Sequence, residues 1–283
     1  MEIFRTPAEI QRYALGLKRR GRTIAVVPTM GYLHAGHASL IDIARRKAEI
    51  VIVTIFVNPT QFGPNEDLAK YPRDFEHDRA LCAEHGADAV YAPAPETMYA
   101  GDASTWVEET VLSKVLCGVS RPVHFRGVTT VVAKLFNLTQ PDVAVFGRKD
   151  AQQLLVIQRM VRDLNFPVEI VPAPLVRDDD GLALSSRNRY LSPEERSRAL
   201  VLNRSLKAGR AAIEAGGLAV LAEVTGNMKR EIAVAGGRVD YVEALDTATL
   251  RAPTAATREL LLAVAAYFGT TRLIDNQFIQ VKP

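Results

Sequence analysis

Pro28-Thr29-Met30-Gly31-Tyr32-Leu33-His34-Ala35-Gly36-His37-Ala38-Ser39-Leu40 lies between an apolar run at residues 23–27 and a helix-like segment that reaches residue 47. The run Ile24-Ala25-Val26-Val27 is short and rich in β-branched side chains, and residues 50–57, Ile-Val-Ile-Val-Thr-Ile-Phe-Val, repeat that character more strongly. Both read as buried strands of a parallel sheet. With one crossover helix between them they make a βαβ unit. The loop after its first strand then sits at the carboxyl edge of the sheet, where open α/β folds bind ligands.

His34 and His37 are three residues apart, so a helix beginning near Leu33 or His34 presents both rings on one face at its positive end. Gly31 permits a sharp turn out of the strand, and Gly36 removes a Cβ where a ring or ligand would press on the backbone. Free N–H groups at the helix start complete an anion site, and the stretch reads as a nucleotide phosphate cradle. His-x-x-His by itself also fits a surface pair or a metal site. Zinc helices usually space their ligands four apart, however, and no Cys or Glu cluster stands nearby.

Working outward, Thr6-Pro7-Ala8-Glu9 reads as a capping box with proline at the first helical position, opening a helix that Gly21 ends. Beyond the second strand, residues 58–73 are polar, proline-punctuated and without hydrophobic period, which makes them a loop at the same sheet edge. Asn58 and Gln61 carry donors and acceptors suited to a small substrate with hydroxyls and a carboxylate, although a loop accepts such residues for no reason at all. A helix at 75–85 closed by Gly86 and a third strand at 88–91 follow. The stretch to Gly118 shows no clear pattern. His124 and Arg126 are expected just before a helix over 128–139, facing either phosphate or solvent.

Residues 143–146 form the next strand, Gly147-Arg148-Lys149-Asp150 a second ligand-edge turn, and 151–164 a helix with an apolar stripe. Lys149 offers a compact positive charge, Asp150 an acceptor for a ribose, and Gln153 faces the same crevice one turn on. A strand at 168–171 completes five parallel strands, and Pro172, Pro174 and Asp178-Asp179-Asp180-Gly181 mark the exit from the sheet. The reading is therefore an α/β chain in two parts. Residues 1–175 form a Rossmann-like parallel-sheet domain, and 176–283 a smaller α+β domain. The second part opens with Leu184-Ser185-Ser186-Arg187, suited to grip a triphosphate on an interdomain connection. Ser192-Pro193-Glu194-Glu195 then caps a long helix to about residue 215. A further helix at 218–235 and strands at 238–244, 260–267 and 273–274 end the chain.

Composition narrows the class. Among 283 residues, 48% are apolar and 24% charged, enough for real cores in one large domain or two ordinary ones. The net charge of +3 neither invites nor excludes nucleic acid. The clusters Lys18-Arg19-Arg20 and Arg45-Arg46-Lys47 fall at predicted helix ends, where cations suit the dipole. Cys82 and Cys117 have no metal-like spacing, which points to a reducing compartment rather than a disulfide scaffold. The start Met1-Glu2-Ile3-Phe4-Arg5 lacks the plan of a signal peptide, and the apolar run 260–268 is too short to span a bilayer. A soluble cytoplasmic protein is expected.

Converging cations around a cleft suggest attack at an ATP phosphorus, where positioning and charge stabilisation carry the chemistry. Neither a Walker A sequence nor a Gly-x-Gly-x-x-Gly fingerprint is present. His34-Ala35-Gly36-His37 resembles the His-x-Gly-His motif of the nucleotidyltransferase superfamily, and Leu184-Ser185-Ser186-Arg187 a degenerate form of its second, mobile motif. More narrowly, residues 28–37, Phe56-Val-Asn-Pro-Thr-Gln-Phe62, 121–127, 146–153 and 185–191, in that order, are similar to the pantothenate synthetase (pantoate–β-alanine ligase) family.

That resemblance implies condensation of (R)-pantoate with β-alanine through a pantoyl adenylate, with MgATP as co-substrate, and a homodimer. It implies phosphate contacts from His34, His37, Lys149, Ser185, Ser186 and Arg187, with His37 the proton donor and His34, Lys149 and Arg187 sharing the catalysis. Gln61 and Gln153 would hold pantoate with Asn58 lining the pocket, and Met30, Gly147, Asp150, Val176 and Leu184 would meet the nucleotide. The metal ligands stay unassigned. Two departures stand out: the family commonly has Gly-Glu-Lys-Asp and an aromatic where this chain has Gly147-Arg148-Lys149-Asp150-Ala151, and glycine where Val123 stands. A tRNA-charging enzyme or adenylyltransferase of the same superfamily is one alternative, and a nucleic-acid module without chemistry another. The modest charge and lack of an anticodon-binding extension count against both.

Overall fold

The computed structural model describes residues 1–64, 66 and 68–281, so Asn65 and Asp67 of the 58–73 loop reading, and the last two residues, lie outside the described residues. The chain divides into two compact units. One is Met1–Arg148 with Gln152–Pro174, and the other is Lys149–Ala151 with Leu175–Pro283.

The first unit runs β1 (Glu2–Phe4), α1 (Pro7–Arg19), β2 (Ile24–Thr29), α2 (Ala35–Lys47), β3 (Ile50–Ile55), α3 (Phe75–Glu84), β4 (Ala89–Tyr91), the short turns α4 (Pro95–Met98) and α5 (Cys117–Ser120), α6 (His124–Thr139), β5 (Val143–Gly147), α7 (Ala151–Asp163) and β6 (Glu169–Ala173). All six strands are parallel, in the order β1-β4-β3-β2-β5-β6. The order reverses between β2 and β5, so the loops leaving those two neighbours open on a switch point, the crevice this sheet type uses for ligands. Both faces of the central strands are covered: Ile24 through Val27 and Val51 through Val53 are buried, which is why they read as continuous apolar runs.

The sheet has one strand more than the five read from the sequence. β1 is three mostly exposed residues paired with β4, too short and too polar in burial to announce itself by pattern. The capping box at Thr6 is present, with Glu9 N donating to Thr6 Oγ1 at 3.4 Å and Thr6 N to Glu9 Oε2 at 3.0 Å.

The second unit continues with α8 (Pro193–Ala199), α9 (Val201–Gly216), α10 (Leu221–Val234) and the antiparallel meander β7 (Arg238–Asp246), β8 (Glu259–Phe268) and β9 (Thr271–Gln280). The single helix expected to reach residue 215 is interrupted at Leu200, which keeps right-handed helical angles (φ −60°, ψ −18°). β9 pairs with β8 along its whole length, far beyond the two residues legible as strand. Leu202, Leu206, Ile213, Met228, Leu260, Leu262 and Val264 pack into the core beneath it. No helix among the described residues is long and apolar enough to cross a membrane.

Candidate active site

The turn from β2 into α2 is built before any histidine is reached. Thr29 Oγ1 donates to Thr54 O at 2.7 Å and accepts from Gly31 N at 3.2 Å, fastening the strand end. Gly31 (φ +82°) and Tyr32 (φ +52°) then take left-handed angles in succession. A side chain at Gly31 would be strained, and its Cβ would fall 2.9 Å from Asp78 Oδ2. Asp78, on α3, accepts from Tyr32 N at 2.9 Å and Leu33 N at 2.6 Å. Its neighbour His77 reaches the same residue from the other side, Nε2 donating to Leu33 O at 3.1 Å. Burial pushes the Asp78 carboxyl up, while the two backbone donors pull against it.

His34 is the N-cap of α2 with extended backbone (φ −143°, ψ 177°). Its Nδ1 accepts from Gly36 N at 3.1 Å, and His34 N donates to Nδ1 of His37 at 3.3 Å. The pair is thus a reciprocal cap in which imidazoles take the places usually held by a hydroxyl and a carboxylate. The ring centroids are 4.1 Å apart. A neutral imidazole that accepts through Nδ1 carries its proton on Nε2. Both half-buried rings are therefore fixed as Nε2–H donors at the positive end of the helix. The basic residues at the far end of α2 serve the fold: Arg45 donates to Asp88 at 2.7 Å and to Ala48 O at 2.8 Å.

Across the neighbouring strand, Gln61 ends a 3₁₀ turn (Pro59–Gln61) and is buried beside Met30, its Nε2 donating to Met30 Sδ at 3.0 Å. A thioether is a weak acceptor that a ligand hydroxyl can replace. Asn58 does not line a pocket as expected. It is 1% exposed, its Nδ2 donates to Gln61 Oε1 at 3.2 Å and Gly127 O at 3.1 Å, and its Oδ1 accepts from Tyr99 OH at 3.0 Å and Thr60 Oγ1 at 2.9 Å. With every donor and acceptor engaged, Asn58 orients Gln61.

His124 and Arg126 also depart from expectation. α6 begins four residues earlier than its apolar period suggested, so both belong to the helix. His124 is buried with Nδ1 donating to Gln61 O at 2.9 Å, and the Arg126 guanidinium lies 4.8 Å from the Trp106 ring centroid. Arg121 donates through Nε to Glu66 at 2.9 Å and braces the same loop. Val123, where the resemblance leads one to expect glycine, sits at φ −92°, which any residue adopts. Gly147 ends β5, and Gln153 is half-buried on α7. Its neighbour Gln152 is the structural one, bound to Leu112 O at 2.8 Å and to Cys117 N at 3.0 Å.

The remaining candidates belong to the second unit, described by itself. Lys149 Nζ lies 3.5 Å from Asp150 Oδ1, and its carbonyl accepts from Asn276 Nδ2 at 2.9 Å. Val176 O accepts from Leu184 N at 3.0 Å, closing a small hairpin that contains the Arg177–Ala183 bridge. Arg177 holds buried Asp275 through two bonds of 2.7 and 2.9 Å, and Arg196 binds Asp178 at 2.7 Å and Asp180 at 2.9 Å. Two members of the acidic triplet read only as an exit signal, Asp178 and Asp180, thus form a brace with one arginine. After it, Ser185 Oγ accepts from Arg187 N at 3.3 Å and caps the 3₁₀ turn Ser186–Tyr190. Ser185, Ser186 and Arg187 are half-buried.

Sequence reasoning missed Asp78, Tyr99, Asp275 and Asn276. Only Asp78 left a trace, as a carboxylate on the buried stripe that α3 forms with Phe75, Leu81 and Cys82.

Comparison with known proteins bears on this geometry directly. The family profile described as Pantoate-beta-alanine ligase matches residues 2–278. A curated pantothenate synthetase from Moorella thermoacetica is 55% identical over 282 residues, covering 99% of each chain. A solved pantothenate synthetase from Thermus thermophilus superposes with a TM-score of 0.92 at 47% identity, covering 100% of both chains. The pantoate-beta-alanine ligase from Francisella tularensis, solved in complex with beta-gamma ATP and beta-alanine, superposes with a TM-score of 0.81 at 32% identity over 98% of this chain and 97% of its own.

Proposed function

This chain belongs to the pantoate–β-alanine ligase family, and from that premise we propose that it joins (R)-pantoate to β-alanine, cleaving ATP to AMP and pyrophosphate. The observation that carries the reading is the pair of rings at His34 and His37, each locked with its donor at Nε2 at a helix start on the ligand edge of a parallel sheet.

In the first step a carboxylate oxygen of pantoate attacks the α-phosphorus. The bond from that phosphorus to the bridging oxygen breaks, and pyrophosphate leaves. The carboxylate needs this activation because a free carboxylate is a poor acyl donor. Negative charge builds on the phosphoryl oxygens, and donors fixed in advance are what lowers such a barrier. His34 and His37 supply two through Nε2, with His37 donating its hydrogen bond to the departing pyrophosphate. Lys149, Ser185, Ser186 and Arg187 bind the remaining phosphate oxygens. In the second step the amine of β-alanine attacks the acyl carbon, loses a proton, and AMP departs with the electrons of the broken C–O bond.

Gln61 and Gln153 hold the hydroxyls and carboxylate of pantoate, Gln61 trading the sulfur of Met30 for a better acceptor. Asn58 keeps the Gln61 amide pointing the right way. Met30, Gly147, Asp150, Val176 and Leu184 meet the nucleotide. A Mg²⁺ ion arriving with the nucleotide would be carried mainly by phosphates and water. When bound, it neutralises phosphate charge. The protein acts in the cytoplasm and as a homodimer, the second reading supported by Trp106, Val111, Val119 and Val123, large apolar side chains left exposed along residues 106–123 of the first unit.

The test is AMP release from purified protein with ATP and Mg²⁺. It should require pantoate and β-alanine together, and a signal that instead depends on tRNA would sink the reading.

A further inference from the structure

The His77-Asp78 pair on α3 lies outside every motif that carries the family resemblance, yet it grips the backbone on which the histidines depend. Leu33, the residue before His34, is held through both of its backbone polar groups: its N–H by Asp78 Oδ1 at 2.6 Å and its C=O by His77 Nε2 at 3.1 Å. Asp78 Oδ2 takes the N–H of Tyr32 as well, at 2.9 Å. Two consecutive N–H groups aimed at one carboxylate form the kind of concavity that elsewhere binds an anion. Here the protein fills it with its own buried side chain, 1% exposed.

The fit is tight on the opposite side, where a Cβ on Gly31 would come 2.9 Å from the same carboxylate. Gly31 takes its left-handed angle freely, but the one that follows at Tyr32 is costly for a chain without such support, and the turn needs both. Relax them and Leu33 swings, His34 leaves the extended N-cap conformation, and the reciprocal bonds to Nδ1 of both rings are lost.

We infer that Asp78, with His77, is a positioning residue for the reaction: it fixes the tautomer and direction of His34 and His37 through the Tyr32–Leu33 backbone without touching substrate. This rests on the ligase reading for its kinetic consequence but not for its structural one.

The experiment compares Asp78→Asn with wild type by pantoate-dependent exchange of pyrophosphate into ATP and by ¹⁵N NMR of the histidine rings. The amide keeps one acceptor and turns a donor toward the other N–H. We expect kcat to fall about 10²-fold, the scale of a misplaced catalytic group, while KM for pantoate stays within about twofold. The His34 and His37 rings, pure Nε2–H tautomers in the wild type, should become mixtures. Cys82→Ala, a buried change on the same stripe of α3 that leaves the turn alone, should keep wild-type kcat and tautomers. Unchanged tautomers in folded Asp78→Asn, or an equal kcat loss in Cys82→Ala, overturns the inference. If Asp78→Asn does not fold, Gly31→Ala pushes on the same carboxylate and is judged by the same readouts. Should the wild type show no exchange, the ligase reading fails, and the ring spectra still decide the role of Asp78.

Discussion

The side-chain amide of Asn58 is bound to that of Gln61 at 3.2 Å, and its remaining donor and acceptor are already taken by Gly127 O and Tyr99 OH. In the proposed reaction the two carboxamides, three residues apart, have different work: Gln61 exchanges a weak thioether acceptor for pantoate, and Asn58 holds it in place. Asn58→Ala should raise KM for pantoate by about tenfold while leaving KM for ATP within about twofold. It should also cost about 1–3 kcal/mol of stability, because buried Gly127 O and Tyr99 OH lose a partner. Initial rates with denaturant titration check both, and a variant with normal pantoate KM removes Asn58 from the site.

His37→Ala and Lys149→Ala should each slow adenylation by about 10²-fold or more with the fold intact, since each deletes a charge-stabilising donor at the reacting phosphate. Pantoate-dependent pyrophosphate exchange measures the step in isolation, and circular dichroism checks the fold. Wild-type exchange in either variant refutes its role.

Gly127 carries no side chain because α6 meets the 59–61 turn backbone to backbone, where a Cβ would lie 2.5 Å from Thr60 O and 2.7 Å from Gln61 Cα. Neither atom can swing aside. Gly127→Ala should lose about 1–3 kcal/mol through overpacking and weaken pantoate binding together with stability. An alanine variant that melts and binds like wild type would show that the turn yields freely.

Glu66 makes a prediction in pH. Burial pushes its carboxyl up, but the hydrogen bonds and charge of Arg121 outweigh burial and hold it below the ordinary 4.5. A folded-state value below the unfolded one means the ionised form is favoured by folding. The contribution is then fully present above the ordinary value and lost as pH falls through the lowered one. The stability difference between wild type and Glu66→Gln should hold steady from neutral pH down to about 4.5 and shrink below it. Denaturant midpoints across that range decide it, and a difference that ignores acidification removes the ion pair from the account.

What the sequence disclosed, and what it withheld, follows from the range of the forces involved. Ile24 through Val27 and residues 50–55 are strands because both faces are buried, and that writes itself into the sequence as an unbroken apolar run. His34 and His37 were legible as a pair because helix geometry fixes what lies three residues on. Asn58 was assigned the wrong partner, since a buried carboxamide is satisfied by whatever tertiary packing brings, here a carbonyl 69 residues away. His124 reads as lying ahead of the helix because the apolar period begins only at Val128; Gly127 marks a close approach inside the helix. Val123 departs from the glycine that the resemblance leads one to expect, and its backbone lies where any residue is comfortable. Asp78 acts from a helix that carries no motif, through backbone atoms that have no letter in the sequence.

The three residues Lys149–Ala151 group with the second unit, although the chain on either side of them belongs to the first. Neither unit is thus a continuous stretch of polypeptide. Severing the chain after Pro174 would give a leading fragment that still carries a piece of the other unit and a trailing fragment without its Lys149. Expressed by itself, the trailing fragment should bind nucleotide more weakly than the intact chain, because Lys149 stays behind on the leading one.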